Sequence, residues 1–214
     1  MYDGVIFDND GVLVPVCEFD VFREAAHRTF DSFGVDPSDE QVRDVATVAQ
    51  PHRVREICAT HGLDPEGFWA RRDRNNHLAQ RREVAAGRKT PYDDTEVALS
   101  LDVPTGIVSS NQHETIEFLV DRFDWPFEHY YGREHSLAGV RRKKPNTHYL
   151  DRVMTDLGVS NPLFVGDSES DVRVAENAGL DSVFLRRAHR ADYDLSVEPT
   201  YELDSLRGLP ALLD

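Results

Sequence analysis

Short apolar runs recur along the chain, and most of them end in small or acidic residues. The runs are Gly4–Phe7, Gly106–Val108, Leu163–Val165 and Ser182–Leu185. Apolar residues between them recur at the three- and four-residue spacing of amphipathic helices: Ile116, Leu119, Val120 and Phe123, then Tyr149, Leu150, Val153, Met154 and Leu157. This alternation predicts an α/β fold, in which helices cover both faces of a parallel sheet. In such sheets the chemistry lies at the carboxyl ends of the strands.

From about residue 16 to residue 86 the pattern changes and predicts helices without strands. The helical spacing is carried by Phe19, Phe22, Ala26, Phe30 and Phe33. Asp36-Pro37-Ser38 and Leu63-Asp64-Pro65 are typical of loops that start helices, with proline in the first turn. We therefore expect an α/β core made of residues 1–14 and 88–214, with an all-helical domain of residues 15–87 inserted after the first strand. The tail predicts one edge strand near Tyr201 and a last helical turn.

Length and charge narrow the class of protein. A chain of 214 residues with a net charge of −15 is long enough for one domain with an insert. Its negative charge argues against nucleic acid or an anionic membrane as a partner. Two cysteines, Cys17 and Cys58, are too few for a disulfide framework, and no run of apolar residues is long enough to span a membrane. No secretion signal follows Met1, so we expect a cytoplasmic protein.

The distribution of the charges changes this picture. The chain has 24 Asp and 15 Glu, but 21 Arg and only 3 Lys. Residues 15–90 hold 13 acidic and 12 basic residues, so nearly all of the net charge lies in the expected core. Abundant Asp with little Lys resembles the proteins of salt-accumulating halophilic microbes; a GC-rich genome that favours Arg and Asp codons is the alternative. Refolding yield against potassium chloride concentration separates them, and full stability at low salt contradicts the halophilic interpretation.

Acidic residues follow two of the apolar runs. Asp8 and Asp10 come directly after the first run, with Gly11 allowing the chain to turn away, and Asp167 and Asp171 follow the third. Two carboxylates at a buried strand end repel each other unless a cation lies between them or one is protonated. Carboxylates, water and a phosphate oxygen are the ligands that Mg²⁺ prefers. The sequence therefore predicts a magnesium site at this edge of the sheet.

Two further segments have the residues of an anion site. Ser109-Ser110-Asn111 lies between a predicted strand and a predicted helix, where a hydroxyl and the first amides of the helix bind a phosphate. Lys143-Lys144-Pro145 contains two of the three lysines of a chain that otherwise uses arginine. A lysine ammonium is a compact charge that neutralises a carboxylate and a phosphate oxygen together.

These four segments, in this order, resemble the four motifs of the haloacid dehalogenase-like superfamily, in its phosphatase branch. The resemblance spans about residues 3–187 and includes a helical cap between the first and second motifs; phosphoglycolate phosphatases and beta-phosphoglucomutases have a similar layout. It implies a Rossmann-like core. It also implies that Asp8 is the nucleophile that forms an aspartyl-phosphate and that Asp10 is the general acid and base. Ser109, with Ser110 as its rival, and Lys144 hold the phosphoryl oxygens.

The resemblance also implies a set of metal ligands. Magnesium is bound by the Asp8 carboxylate, the Asp10 backbone carbonyl and Asp167, while Asp171 orients a metal-bound water or Lys144. Other roles stay open: Ser109 as a helix N-cap, Lys143 in place of Lys144, and Asp171 as an exposed helix residue. Asn9, Asn111 and Ser168 are expected to shape the backbone.

The expected cap contains a cluster of basic residues. They are Arg71, Arg72, Arg74, Arg81, Arg82, Arg88 and Lys89. They form either an electropositive lid for an anionic ester or a solvated, ion-paired helix face. His52 and Arg53, in another expected cap loop, are further candidates for substrate contact. Pro15 and Val16 stand where many relatives have an acidic residue and a serine, which leaves the substrate open.

The predicted function is a Mg²⁺-dependent phosphatase of a small anionic metabolite, such as phosphoglycolate or a sugar phosphate. A phosphomutase of the same superfamily is the alternative. A dehalogenase is disfavoured because that branch lacks the second acid, Asp10. A non-enzymatic phospho-aspartate signalling domain is disfavoured by the helical insert. The sequence leaves a monomer and a homodimer equally open.

Overall fold

The computed structural model describes residues 1–47 and 50–213, and the strands it describes form one parallel sheet. Six strands lie in the order β3-β2-β1-β4-β5-β6. Their bounds are β1 Val5–Phe7, β2 Thr105–Gln112, β3 His129–Arg133, β4 Leu163–Gly166, β5 Ser182–Leu185 and β6 Tyr201–Leu203. The predicted α/β class is confirmed, and so is the edge strand near Tyr201.

Helices form the rest of the regular structure. Their bounds are α1 Phe19–Asp31, α2 Asp39–Ala46, α3 Pro51–His61, α4 Pro65–Ala85, α5 Thr95–Leu99, α6 His113–Phe123, α7 Leu137–Arg142, α8 His148–Leu157, α9 Glu169–Ala178 and α10 Pro210–Leu213. Short 3-10 turns lie at Ala188–Arg190 and Leu206–Gly208. Among the residues described, no helix combines the length and the apolar character needed to cross a bilayer.

The chain divides into two compact units. The first consists of Met1–Pro15, Thr90–Arg133 and Arg142–Asp214, and the second of Val16–Lys89 and Glu134–Arg141. The second unit thus includes a short segment, residues 134–141, that lies outside the predicted insert of residues 15–87, so the predicted core is wrong for this segment. Within it, the Leu137 amide donates to Glu66 Oε2 at 3.2 Å.

In the α/β unit, the central strand β1 determines where the polar residues after it lie. Val5, Ile6 and Phe7 are completely buried, because β1 is paired with β2 on one side and β4 on the other. Phe7 is opposite Val165 of β4, so the residues that follow these two strands leave the sheet side by side. The backbone amide of Asp8 still donates to the Val165 carbonyl at 2.8 Å.

The helical unit has its own apolar core, in which the expected helix starts are largely confirmed. Phe30 and Phe68 are fully buried, with ring centroids 5.1 Å apart. Pro65 opens α4 as predicted, after the N-cap Asp64. Pro37, in contrast, lies before the N-cap Ser38 and outside the first turn of α2, because the Ser38 side chain accepts from the Gln41 amide in a capping box.

Candidate active site

A tight turn after β1 positions the first acidic pair. The Asn9 carbonyl accepts from the amides of Val12, Leu13 and Val14, so the chain folds back immediately after Asp10. Gly11 has a φ of 88°, and a Cβ at this position would lie 2.2 Å from Asp167 Oδ2. Only glycine allows both this backbone conformation and this close approach. The turn therefore brings the backbone after β1 against the acid that follows β4.

Three buried carboxylates meet at the carboxyl ends of β1 and β4. One oxygen from each of Asp8, Asp167 and Asp171 lies within 4.8 Å of the other two. The Lys144 ammonium is 2.8 Å from Asp8 Oδ1 and 2.5 Å from Asp171 Oδ1. Lys144, which precedes Pro145, is thus the lysine that contacts the predicted nucleophile. The predicted residues from three of the four motifs meet in this cluster.

The carboxylates and the ammonium of this cluster shift each other's pKa values. Burial, opposed by the charge of Lys144 and reinforced by the charges of Asp171 and Asp167, raises the pKa of Asp8 to about 8. Burial lowers the pKa of Lys144, but the attraction of Asp171 and Asp8 is stronger, so its pKa lies above the usual value. Neighbouring buried carboxylates repel each other, and a cation between them removes this repulsion. Because all three groups offer oxygen ligands, they fit a hard divalent ion.

Asp171 is fixed in place by the start of α9. Its Oδ2 accepts from the Ser168 amide at 3.0 Å and from the Ser168 hydroxyl at 2.6 Å, as part of a capping box. Its other oxygen, Oδ1, faces Lys144. Gly166 leaves room for this arrangement, because a Cβ there would lie 2.2 Å from the Asp171 Cβ. Asp171 is buried, so the alternative of an exposed helix residue is wrong.

The last residues of β2, the other neighbour of β1, contact Asp10. Asn111 Nδ2 donates to Asp10 Oδ2 at 2.8 Å, and Asn111 Oδ1 accepts from the Gln112 amide, which fixes the orientation of the side-chain amide. Ser109 is buried and accepts from the Asn111 amide at 3.1 Å. Ser110 is half-buried beside it. The sequence predicts these serines between a strand and a helix, but they lie inside β2. There the pairing of β2 with β3 shifts between Val108 and Gln112.

The N-cap of α6 is Gln112, so the alternative of Ser109 as a helix cap is wrong. Ser168, in contrast, shapes the backbone at the start of α9, as expected.

Two site contacts were not predicted from the sequence. Asp167 Oδ2 is 2.7 Å from His189 Nε2 and 3.0 Å from Arg190 Nε. Both residues follow β5, in the basic sequence Arg186-Arg187-Ala188-His189-Arg190. That concentration of basic residues directly after a strand end was the signal that could have identified them.

Several candidate cap residues have structural partners. The Arg72 guanidinium is buried and donates to the carbonyls of Val45 and Ala46. Arg88 pairs with Glu83, at 2.7 Å. Arg53 lies in the first turn of helix α3, not in a loop, because Pro51 opens that helix; it forms ion pairs with Glu40, Asp44 and Glu56. These contacts account for Arg53, Arg72 and Arg88 through packing and ion pairing within the helical unit.

Fold and sequence together place the chain among the hydrolases built on a parallel α/β sheet. The sequence profile of the haloacid dehalogenase-like hydrolases matches residues 2–179, and the chain belongs to that family. It is 26% identical over 205 residues to a phosphoglycolate phosphatase of Rhodobacter capsulatus. The alignment covers 89% of this chain and 87% of that protein. The predicted family is confirmed.

Solved structures share the fold. CbbY from Rhodobacter sphaeroides, in complex with phosphate, superposes with a TM-score of 0.72 at 18% identity, covering 98% of this chain and 96% of that chain. L-2-haloacid dehalogenase from Xanthobacter autotrophicus superposes with a TM-score of 0.57 at 18% identity, covering 100% of this chain and 98% of that chain. Both proteins match over nearly the whole chain, including the helical residues after β1.

We predict that Mg²⁺ stabilises the folded chain through the carboxylates of Asp8 and Asp167. A ligand at a hundredfold excess over its Kd adds about 2.7 kcal/mol, which for a chain of this size raises Tm by roughly 5 °C or more. The measurement is Tm by calorimetry in EDTA and in MgCl₂. Asp167→Asn should remove most of the Mg²⁺-dependent rise, whereas Asp102→Asn, at an exposed turn position, should keep it. An equal rise in both variants would place the ion elsewhere.

Proposed function

We propose that this protein is a Mg²⁺-dependent phosphatase that hydrolyses a small phosphorylated metabolite through an aspartyl-phosphate on Asp8. The observation that carries the proposal is the Lys144 ammonium, which lies between the carboxylates of Asp8 and Asp171 at the end of β1. An anionic nucleophile reacts with an anionic ester only where positive charge cancels their repulsion. Membership of the hydrolase family and similarity to a phosphoglycolate phosphatase support the assignment.

In the first step, an oxygen of Asp8 attacks the phosphorus in line with the leaving oxygen. The new bond joins Asp8 to phosphorus, and the bond from phosphorus to the ester oxygen breaks. Asp10, held by Asn111, gives its proton to that oxygen, which leaves as an alcohol. Lys144 and Ser109 hold the phosphoryl oxygens while their charge is redistributed.

In the second step, water attacks the phosphorus of the aspartyl-phosphate. Asp10, now ionised, takes one proton from the water, and the bond between phosphorus and Asp8 breaks. Inorganic phosphate leaves, and both carboxyl groups return to their starting states. The Lys144 ammonium, which lies 2.8 Å from Asp8 Oδ1, compensates the charge of the regenerated carboxylate.

The carboxylates of Asp8 and Asp167 and the backbone carbonyl of Asp10 would hold the cation, and Asp171 would orient Lys144 from behind. When bound, Mg²⁺ neutralises phosphate charge and draws electron density from the phosphorus. The hard oxygen donors favour Mg²⁺ over softer ions.

For the substrate we propose phosphoglycolate or a sugar phosphate, because the relative from Rhodobacter capsulatus is a phosphoglycolate phosphatase. The same proposal assigns catalysis to the first unit and the role of a cap to the second, most of which lies in the predicted insert of residues 15–87.

The experiment is a screen of phosphate release from phosphorylated metabolites with MgCl₂, at low and at high potassium chloride. Magnesium-dependent release from a small ester supports the proposal, and its loss in EDTA tests the cation. Isomerisation of a sugar phosphate with little phosphate release would favour the mutase instead. Absence of turnover with every ester at both salt concentrations contradicts both activities.

A further inference from the structure

An ion pair outside the acidic cluster holds the turn that carries Asp10. Arg187 follows β5, and its guanidinium Nη2 donates to the Val12 carbonyl at 2.7 Å. The same guanidinium pairs with both carboxylate oxygens of Asp94, at 2.7 and 3.2 Å. The two side chains are 11% and 4% exposed. Arg187 thus links the backbone two residues after Asp10 to a buried carboxylate.

Asp94 is a rigid anchor for this link. Besides Arg187, it accepts from the Ser205 hydroxyl at 2.6 Å and from the Leu206 amide at 2.9 Å. Burial raises the pKa of Asp94, but the hydrogen bonds from Arg187, Ser205 and Leu206, with the charge of Arg187, outweigh this effect, so the pKa lies below its usual value. The carboxylate is therefore ionised at neutral pH, and it pairs with both terminal nitrogens of the guanidinium.

The next carbonyl of the turn is held from the same side. The Leu13 carbonyl accepts from the Tyr92 amide at 3.1 Å and from the Thr95 hydroxyl at 2.8 Å. The Arg187 guanidinium lies 3.9 Å from the centre of the Tyr92 ring. Two consecutive carbonyls of the turn are thus bound by one cluster, which consists of Tyr92, Asp94, Thr95 and Arg187.

We propose that Arg187 and Asp94 are positioning residues that fix Asp10 for proton transfer, an inference that rests on the proposed function. Within the turn, the amides of residues 12–14 donate to the Asn9 carbonyl. From outside the turn, Arg187 donates to the Val12 carbonyl. A guanidinium donates to Val12 and to both oxygens of Asp94 at once, which the single ammonium of a lysine does not reproduce. Weakening this contact lets the turn relax and moves the carboxylate of Asp10 away from the leaving oxygen.

The variant Arg187→Lys tests the proposal through the leaving group. An alkyl phosphate needs a proton from Asp10, whereas p-nitrophenyl phosphate has a leaving group that departs without one. The rate constant of the first step is measured in a single turnover, as release of the alcohol or of p-nitrophenol, because both esters share the later hydrolysis of the aspartyl-phosphate. We expect it to fall by about 30-fold or more for the alkyl ester and by less than about 3-fold for p-nitrophenyl phosphate. An equal loss of this rate constant for both esters means that the pair only supports the fold, and it overturns the proposal.

A matched pair of variants removes one carboxylate charge at a time. Asp94→Asn removes the carboxylate charge that pairs with Arg187. Glu202→Gln removes the carboxylate charge that pairs with Arg186, the residue before Arg187; the contacts between Arg186 and Glu202 measure 2.8 and 3.2 Å. We expect Asp94→Asn to shift the ratio of the two rates in the same direction as Arg187→Lys, and Glu202→Gln to leave it unchanged. The same shift in Glu202→Gln would overturn the proposal.

Hydrogen exchange separates this inference from the proposed function. In Arg187→Lys, the amides of residues 11–14 should exchange faster than in the wild type, whether or not a substrate is known. A wild-type chain that turns over no ester defeats the proposed function, and exchange then still reports whether Arg187 holds the turn. Unchanged exchange together with an unchanged rate ratio defeats the positioning role and leaves the proposed function standing. If Arg187→Lys does not fold, Asp94→Asn carries the same measurements.

Discussion

Asp8→Asn should abolish turnover, with kcat falling by about 10⁴-fold or more, because a neutral amide is a poor nucleophile for phosphorus. The Asn side chain has the shape of Asp, so the contacts of β1 and of the turn are kept. The measurement is phosphate release under saturating substrate, followed by a search for a covalent phosphoryl group on the wild-type and variant chains. Residual activity within tenfold of the wild type would remove Asp8 from the role of nucleophile.

The loss of activity in this variant should occur without a loss of stability. The folded chain raises the pKa of Asp8 from 3.8 to about 8, so it binds the proton more tightly than the unfolded chain does. The stability of the cation-free protein therefore falls as the pH rises from about 4 to about 8. Asparagine carries no charge and removes this cost. In EDTA at pH 8, the Tm of Asp8→Asn should be no lower than that of the wild type; a clearly lower Tm would mean that the ionised carboxylate stabilises the fold.

The parts of the fold that the sequence predicts are those with a local signal. The strand over Val5–Phe7 is apolar and ends at an acid, and the apolar run Ser182–Leu185 is strand β5. Strand β3, His129–Arg133, was missed because its residues are polar or aromatic and show no apolar run, as suits an edge strand. Helices α5 and α7 were missed because five or six residues hold too few turns for a period to show.

In the candidate site, too, the sequence predicts the residues that have a local signal and misses the contacts that do not. Asp8, Lys144, Asp167 and Asp171 follow from motifs at strand ends, because parallel strands deliver their carboxyl ends to one edge. The contacts that tune the site depend on residues far apart in sequence, such as Arg187 and Asp94, which are 93 positions apart. No local pattern encodes such a contact. Asn111 was expected to shape the backbone, and it does accept from the Gln112 amide, but its contact with Asp10 needed the structure.

Lys144→Met should lower kcat by about 10³-fold and also destabilise the fold. The ammonium lies between Asp8 and Asp171, so its removal leaves two buried carboxylates facing each other, which costs about 3–5 kcal/mol when one partner of a buried pair is lost. Because the folded pKa of Lys144 is raised above 10.5, the lysine stays charged in both states between pH 6 and 9, and its own titration adds no pH dependence there.

Lys143→Met is the matched control, since it removes the same group from the neighbouring, half-buried position. We expect it to keep kcat within about threefold of the wild type, because Lys144 still neutralises Asp8. Phosphate release and Tm are measured for both variants, in EDTA and in MgCl₂. If Lys143→Met loses as much activity as Lys144→Met, the charge that supports phosphoryl transfer is shared by the two lysines, and the ion pair with Asp8 does not carry the proposed function.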